Sequence, residues 1–405
     1  MRFIPLFIVL LLSTGSCKTK VSLEDAGIDK NELIANVATQ LKSSPLLKIT
    51  DSISGKKVFP RTVDPSGKLK LVTKRDWTSG FYPGVLWLTY GLTDNKYWKD
   101  HATSYTELLE SEQFNGSNHD IGFKMMTSYG LGYRYTNKEA YRKVLIQSAQ
   151  TLITRFDDRV GCIRSWDHHR DKWEYPVIID NLMNLELLFW AWKETGETVY
   201  YNIATTHAKT TMKNHFRSDY STYHVVDYDT LTGAVKFQGT HQGYADDSCW
   251  SRGGAWALYG YTMAYRETQD IAFLKQAEKV ADYIINIAKL PSDSVPVWDF
   301  DLKDKTNEPK DASAAAIMSS ALFELGTLTE NKDSGRTYLK VANAILKSLS
   351  SDNYFNGKGE NEGFLLKHST GAKPSNSEVD VPLIYADYYY LEALDRKLRI
   401  KKQLN

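Results

Sequence analysis

Apolar residues recur three and four positions apart along most of this chain. Val144, Leu145, Ala149, Leu152 and Ile153 show the pattern clearly: they would line one face of a helix. The same period predicts helices over Asn31–Ser43, Pro83–Gly91, Lys96–Phe114, Ile121–Tyr135, Lys138–Arg155 and Asn181–Glu194. It continues over Thr198–Phe216, Trp250–Arg266, Ile271–Ala288, Ala312–Leu328, Gly335–Leu349 and Pro382–Leu394. Alternation with period two is rare. Tyr223–Tyr228 and Val235–Phe237, separated by a turn around Thr232-Gly233, predict a small β-hairpin between helices.

No linker rich in Pro, Gly or Ser divides these elements. The simplest architecture is an all-α domain over residues 31–405, about six helical hairpins closed into a toroid, with the β-hairpin as an insertion. An open superhelical array of hairpins has the same periodicity.

The N-terminus follows another rule. Met1-Arg2 leads into an apolar run from Phe3 to Leu12, then small residues up to Cys17. A basic start, a short apolar core and a cysteine after small residues read as a lipoprotein signal over residues 1–17, with a polar linker over 18–30. The expectation is a periplasmic protein of a Gram-negative bacterium, held on a membrane by lipid on Cys17. Ordinary secretory cleavage nearby is the alternative. Cys162 and Cys249 are the two remaining cysteines, and sequence leaves their pairing open.

Net charge is +1, with no basic stripe to mark a nucleic-acid binder. No His, Cys or carboxylate spacing suggests a metal site, and no cofactor is implied. Aromatic residues make up 12% of the chain. That suits carbohydrate binding and tight helical packing equally.

Candidate chemistry sits at three helix starts. Trp250-Ser251-Arg252-Gly253-Gly254-Ala255-Trp256 places a planar cation between two indoles, a combination suited to an acidic sugar. Asp120, after Asn118-His119, and Asp180, within Ile179–Asn184, each precede an apolar helical pattern. Alone, each carboxylate reads as a helix cap. Together in one pocket, one protonated and one ionised, they would meet the general requirement of glycoside hydrolysis.

Four segments carry a specific resemblance: Asn118–Gly122, Asp180–Leu185, Trp250–Gly253 and Tyr385–Tyr389, with Lys310–Ala315 as a fifth. In order and spacing they resemble the unsaturated glucuronyl hydrolases of glycoside hydrolase family 88. The resemblance implies an (α/α)6 barrel that removes a 4,5-unsaturated uronic acid from the non-reducing end of lyase-made oligosaccharides. It implies Asp180 as general acid and base and Asp120 as the second essential aspartate. His119, Trp166, His224, Gln242, Arg252 and Trp256 then match positions lining the substrate pocket. Arg252 or a histidine would neutralise the uronate, and Trp166 and Trp256 would stack on the ring. Trp77 adds either a further wall or a core residue.

One departure is Gly254, where the family usually has Gln. The loop His368–Glu378 carries Ser369, Thr370 and Lys373, either as sulfate ligands or as a solvated loop. Two alternatives remain: a hydrolase acting on unsaturated rhamnogalacturonyl or ulvan fragments, and a non-catalytic glycan-binding lipoprotein.

Overall fold

The computed structural model describes residues 30–48 and 57–404. The expected signal segment, Cys17 and nearly all of the linker lie outside them. In chain order the helices begin with α1 (Lys30–Ser43), α2 (Phe81–Thr93) and α3 (Lys96–Glu107). Next come α4 (Ile121–Met125) and α5 (Leu131–Thr136), joined by a π turn over Met126–Gly130. Then follow α6 (Glu139–Ile153), α7 (Leu185–Thr195), α8 (Thr198–Asn214), α9 (Ser251–Thr268) and α10 (Ile271–Asp282). The last are α11 (Ala312–Leu328), α12 (Lys332–Leu349) and α13 (Ile384–Leu404).

Helix contacts close a ring. The π turn and α5 pack on α2, α4 on α7, α7 on α9, α9 on α11, α11 on α13, and α13 returns to α2. Around this inner ring, α1 and α3 lean on α2, α6 on α4 and α7, α8 on α7, α10 on α9, and α12 on α11. This is the expected (α/α)6 barrel, in its closed form.

Composition decides which layer a helix joins. Inner α11 is small and apolar all round, and its residues from Ala312 to Phe323 are all buried. Outer α12 buries a single stripe, Tyr338, Ala342, Ile345, Leu346 and Leu349, under a charged face. Caps fix the starts: Asp311 accepts from Ser313 N and Ala314 N ahead of α11, and Asn331 from Asp333 N and Ser334 N ahead of α12.

Three expected helices are interrupted, Ile121–Tyr135 by the π turn over Met126–Gly130 and two by 3-10 turns. Lys96–Phe114 ends as an α-helix at Glu107 and resumes as a 3-10 turn over Glu110–Phe114. Asn181–Glu194 begins as a 3-10 turn over Ile179–Asn184. The strands are β1 (Phe59–Val63), β2 (Leu69–Val72), β3 (Phe156–Asp157), β4 (Cys162–Ile163), β5 (Pro176–Ile178), β6 (Val225–Tyr228) and β7 (Val235–Gly239). β1 pairs with β2, and β3 with β4. The expected hairpin is β6–β7, and β5 joins it as a third antiparallel strand. That strand ends two residues before Asp180.

Cys162 and Cys249 are free and buried, so they form no disulfide. Among the described residues no helix is long and apolar enough to cross a membrane. Nor does any group of three or more His, Cys, Asp or Glu have metal-binding geometry among them.

Candidate active site

Asp120 and Asp180 arrive from different elements that touch. Asp120 precedes α4, yet its side chain makes no capping bond. Asp180 lies inside the 3-10 turn and does not cap it. The two segments approach as closely as backbone allows: a Cβ at Gly122 would lie 2.5 Å from Asn184 Cα. Only glycine fits there. Asn184 Oδ1 then accepts a hydrogen bond from Phe123 N at 2.7 Å.

The amide of Asn184 also sets a histidine. Its Nδ2 donates to His119 Nδ1 at 3.3 Å. With Nδ1 accepting, the ring proton falls on Nε2, which faces Asp120 Oδ1 at 3.3 Å. Burial holds the His119 pKa down at about 3, so the ring is a neutral donor. His224 is fixed in the same way. Its Nδ1 accepts from His241 N at 3.1 Å and Gln242 N at 3.2 Å, leaving Nε2–H to face Asp180 Oδ2 at 3.7 Å. Burial pushes the His224 pKa well down. Each aspartate thus faces the N–H of a neutral imidazole.

Both carboxyls are held near neutrality. Desolvation raises Asp120 to about 7, with Asp76 adding to the rise and Lys124 and Arg155 opposing it. Desolvation also raises Asp180 to about 7, aided by the charge on Asp120 and opposed by Arg252. The two side chains are 19% and 14% exposed, so both still meet solvent. Asp180 Oδ2 and His224 Nε2 are buried with no protein hydrogen-bond partner and face each other. The charge on Asp120 thus couples the two titrations.

The other expected site residues divide. Trp166 forms a wall with Trp173 and His241, at ring separations of 5.5 and 5.8 Å. For Arg252 the expectation is corrected in part: the cation is already paired within the protein through its two terminal nitrogens. Its Nη1 donates to Asp311 Oδ2 at 2.6 Å and Thr370 O at 2.5 Å, and its Nη2 to Gly371 O at 2.5 Å. A buried arginine must be paired this fully, and Asp311 supplies the charge. Arg252 therefore acts on Asp180 through its field and on the 370 loop through its donors.

Trp256 is also corrected. Its ring is fully buried, edge-on to Phe123 and Tyr389, and offers no free face for a sugar. Its indole N–H instead lies toward Asp180 and favours the ionised form, without strict hydrogen-bond geometry. Gln242 Nε2 donates to Gly371 O at 2.9 Å and so fastens the same loop as Arg252. Within that loop Ser369 and Thr370 are buried, and Thr370 Oγ1 donates to Lys310 O, so the solvated reading fails for both. Trp77 packs on Phe81, Phe123 and Tyr385 at the edge of the core.

Sequence reading left Asn184 and Gly122 without their present roles and Asp311 without its tie to Arg252. Asn184 and Gly122 sat inside quoted segments, but their contact joins residues 62 apart in sequence, 184 − 122. A single sequence carries no signal for it. A further arginine, Arg61, contacts Asp76 and Glu378 beside the site and gave no sign in the sequence.

A helical toroid holding two coupled, desolvated carboxyls near neutrality is the framework of a glycosidase. The family model for Glycosyl Hydrolase Family 88 matches residues 54–396, and the chain belongs to that family. It is 45% identical over 395 residues to an unsaturated glucuronyl hydrolase of Formosa agariphila, covering 96% of this chain and 97% of that one. An unsaturated chondroitin disaccharide hydrolase of Streptococcus pneumoniae is 33% identical, covering 84% of this chain and 86% of the relative. A crystal structure of an unsaturated glucuronyl hydrolase specific for heparin superposes with a TM-score of 0.87 at 47% identity, covering 92% of this chain and 99% of that one.

Proposed function

We propose that the protein removes a 4,5-unsaturated uronic acid from the non-reducing end of lyase-made glycosaminoglycan fragments, by hydrating the double bond. The observation that carries this reading is Asp180, raised to about 7 and facing His224 Nε2–H. A carboxylic acid still protonated near neutrality can give its proton to C4 of the enol ether. Positive charge then develops on C5 and the ring oxygen. The carboxylate left behind takes a proton from water as that water bonds to C5. The product is a hemiketal at C5. Its bond from C5 to the ring oxygen opens to a ketone, the hydroxyl proton passing to the ring oxygen; C1 is then a hemiacetal, which collapses to an aldehyde as the aglycone leaves with its own oxygen.

In the reactive form Asp120 is the ionised member of the pair and Asp180 the protonated one, which places negative charge where the cation forms. His119 Nε2–H steadies that charge. The face of Trp166 that is not stacked on His168 supplies the wall against which the flattened ring lies. Because water adds at C5 rather than C1, the spacing rule for retaining and inverting carboxylates does not govern the outcome.

The test is a panel of unsaturated disaccharides followed by loss of the conjugated ultraviolet absorbance. Heparin-derived members come first, because a solved relative at 47% identity is described as specific for heparin. Absorbance falling in step with release of the aglycone supports the reading. Turnover confined to rhamnogalacturonyl or ulvan fragments moves the substrate class. Binding without turnover replaces the enzyme with a glycan-binding protein.

A lipid anchor on Cys17 and a periplasmic location complete the proposal, supported by the basic start, the apolar run and the small residues before the cysteine. Labelled palmitate should enter the native protein and be absent from Cys17→Ser.

A further inference from the structure

Arg61 sits on β1, outside every segment named for the reaction. Its guanidinium is nonetheless fully engaged from two directions. Nη1 donates to both oxygens of Asp76, at 3.1 and 2.9 Å. Nε and Nη2 donate to the two oxygens of Glu378, at 2.5 and 2.8 Å. The Glu378 side chain is only 6% exposed, so this is a partly buried, two-sided clamp rather than a surface ion pair.

Each end of the clamp leads to the site. Asp76 caps the 3-10 turn Trp77–Gly80 by accepting from Thr78 N. That turn is pressed onto α4, the helix that follows Asp120: a Cβ on Gly80 would lie 2.3 Å from Lys124 O. Glu378 lies in the 369–381 loop, where Gly371 N donates to Glu378 O at 2.6 Å. The opposite side of that loop is gripped by Arg252 and Gln242, both through Gly371 O. Gln242 N in turn fixes His224 opposite Asp180.

We propose that Arg61 is a positioning residue for the reaction: it ties the Asp120-side turn to the 369–381 loop and so sets the spacing between the two sides of the site. The role has two separable parts. Through Glu378 it fixes the loop. Through Asp76 it screens a carboxylate whose charge reaches Asp120, alongside Lys124 on α4, Arg155 at the end of α6, the neighbouring neutral His119, and Asp180 across the site.

The experiment compares Arg61→Met, Glu378→Gln and Asp76→Asn, with an unsaturated disaccharide as substrate. It rests on the proposed reaction, and wild-type turnover tests that reading separately. Glu378→Gln weakens the loop's ties to Arg61 and to Lys70, 3.7 Å away, and leaves Asp76 paired with Arg61, so KM rises about tenfold with kcat within about threefold and an unmoved pH profile. Asp76→Asn keeps a capping side chain but removes the charge, so the ascending limb moves to lower pH. Arg61→Met unscreens Asp76, so that limb moves to higher pH, with the same rise in KM. Opposite displacements in two variants that break one clamp do not arise from general loosening.

Loop order gives a readout free of turnover: the Gly371 and Ala372 amides, bonded to Glu378 O and Ser377 O, should exchange faster in Arg61→Met. If Arg61→Met does not fold, the other two variants decide. KM within twofold of wild type in Glu378→Gln, or limbs that move together in Asp76→Asn and Arg61→Met, overturns the proposal.

Discussion

Asp120 and Asp180 make the site at a cost in stability. Each ionises at 3.8 when free in water and at about 7 in the fold. Below pH 3.8 both states hold the protons and nothing is lost. Between 3.8 and 7 the unfolded chain ionises first, so stability falls as pH rises. Above 7 the penalty is full. Asp180→Asn should therefore raise the melting temperature by a few degrees at pH 8 and by much less at pH 4, measured by thermal unfolding at both. An equal gain at both values would show that Asp180 carries no such penalty. Asn184 contributes in the opposite sense. Asn184→Ala strips Phe123 N of its acceptor inside the core, a loss of about 1–3 kcal/mol in denaturant unfolding. It also frees the His119 ring, so activity should fall beyond what the loss of stability explains.

At the scale of elements, two glycines predict opposite outcomes. Gly122 has no room, with Asn184 Cα 2.5 Å from the added Cβ. Gly122→Ala should push α4 away from the Asp180 turn and lower both stability and kcat. Gly254, in the body of α9, has only ordinary contacts at 3.5 and 3.8 Å. Gly254→Ala should stabilise by about 0.5–1 kcal/mol through helix propensity. Thermal and denaturant unfolding check both signs, and stabilisation by Gly122→Ala would undo the close-approach argument.

The contrast between these glycines also shows what was legible in the sequence. Helix faces such as Tyr338–Leu349 announce themselves, because periodicity is local. The 3-10 turn at Ile179–Asn184 was hidden, because its apolar residues fit a helix equally well and β5 ahead of it is too short to signal itself. The β1–β2 pair is as long as β6–β7 but was hidden because Pro60 breaks the strand signal in β1. Arg252 was singled out, but its protein partners were not. Its spacing said nothing of Asp311 or Gly371, which reach it from 59 and 119 positions away. Trp256 was likewise found, with its buried ring mistaken for a platform. Residue identity was readable, whereas which face of each side chain stays open depends on tertiary contacts.

For the whole molecule, the ring of helices brings distant turns to one mouth, and the acids there titrate together. His119 and His224 are neutral across the working range, so the carboxyl pair alone should shape activity. A plot of kcat/KM against pH should be bell-shaped around about 7, losing its ascending limb in Asp120→Asn. Survival of that limb would assign it to another group. The central claim is that Asp180 supplies the proton that begins hydration. Its most direct test is the rate at which Asp180→Asn, shown to be folded, consumes the conjugated double bond of an unsaturated disaccharide that the wild type turns over. The expected rate is at least about a thousandfold lower. A variant that keeps more than a few per cent of wild-type activity would contradict it.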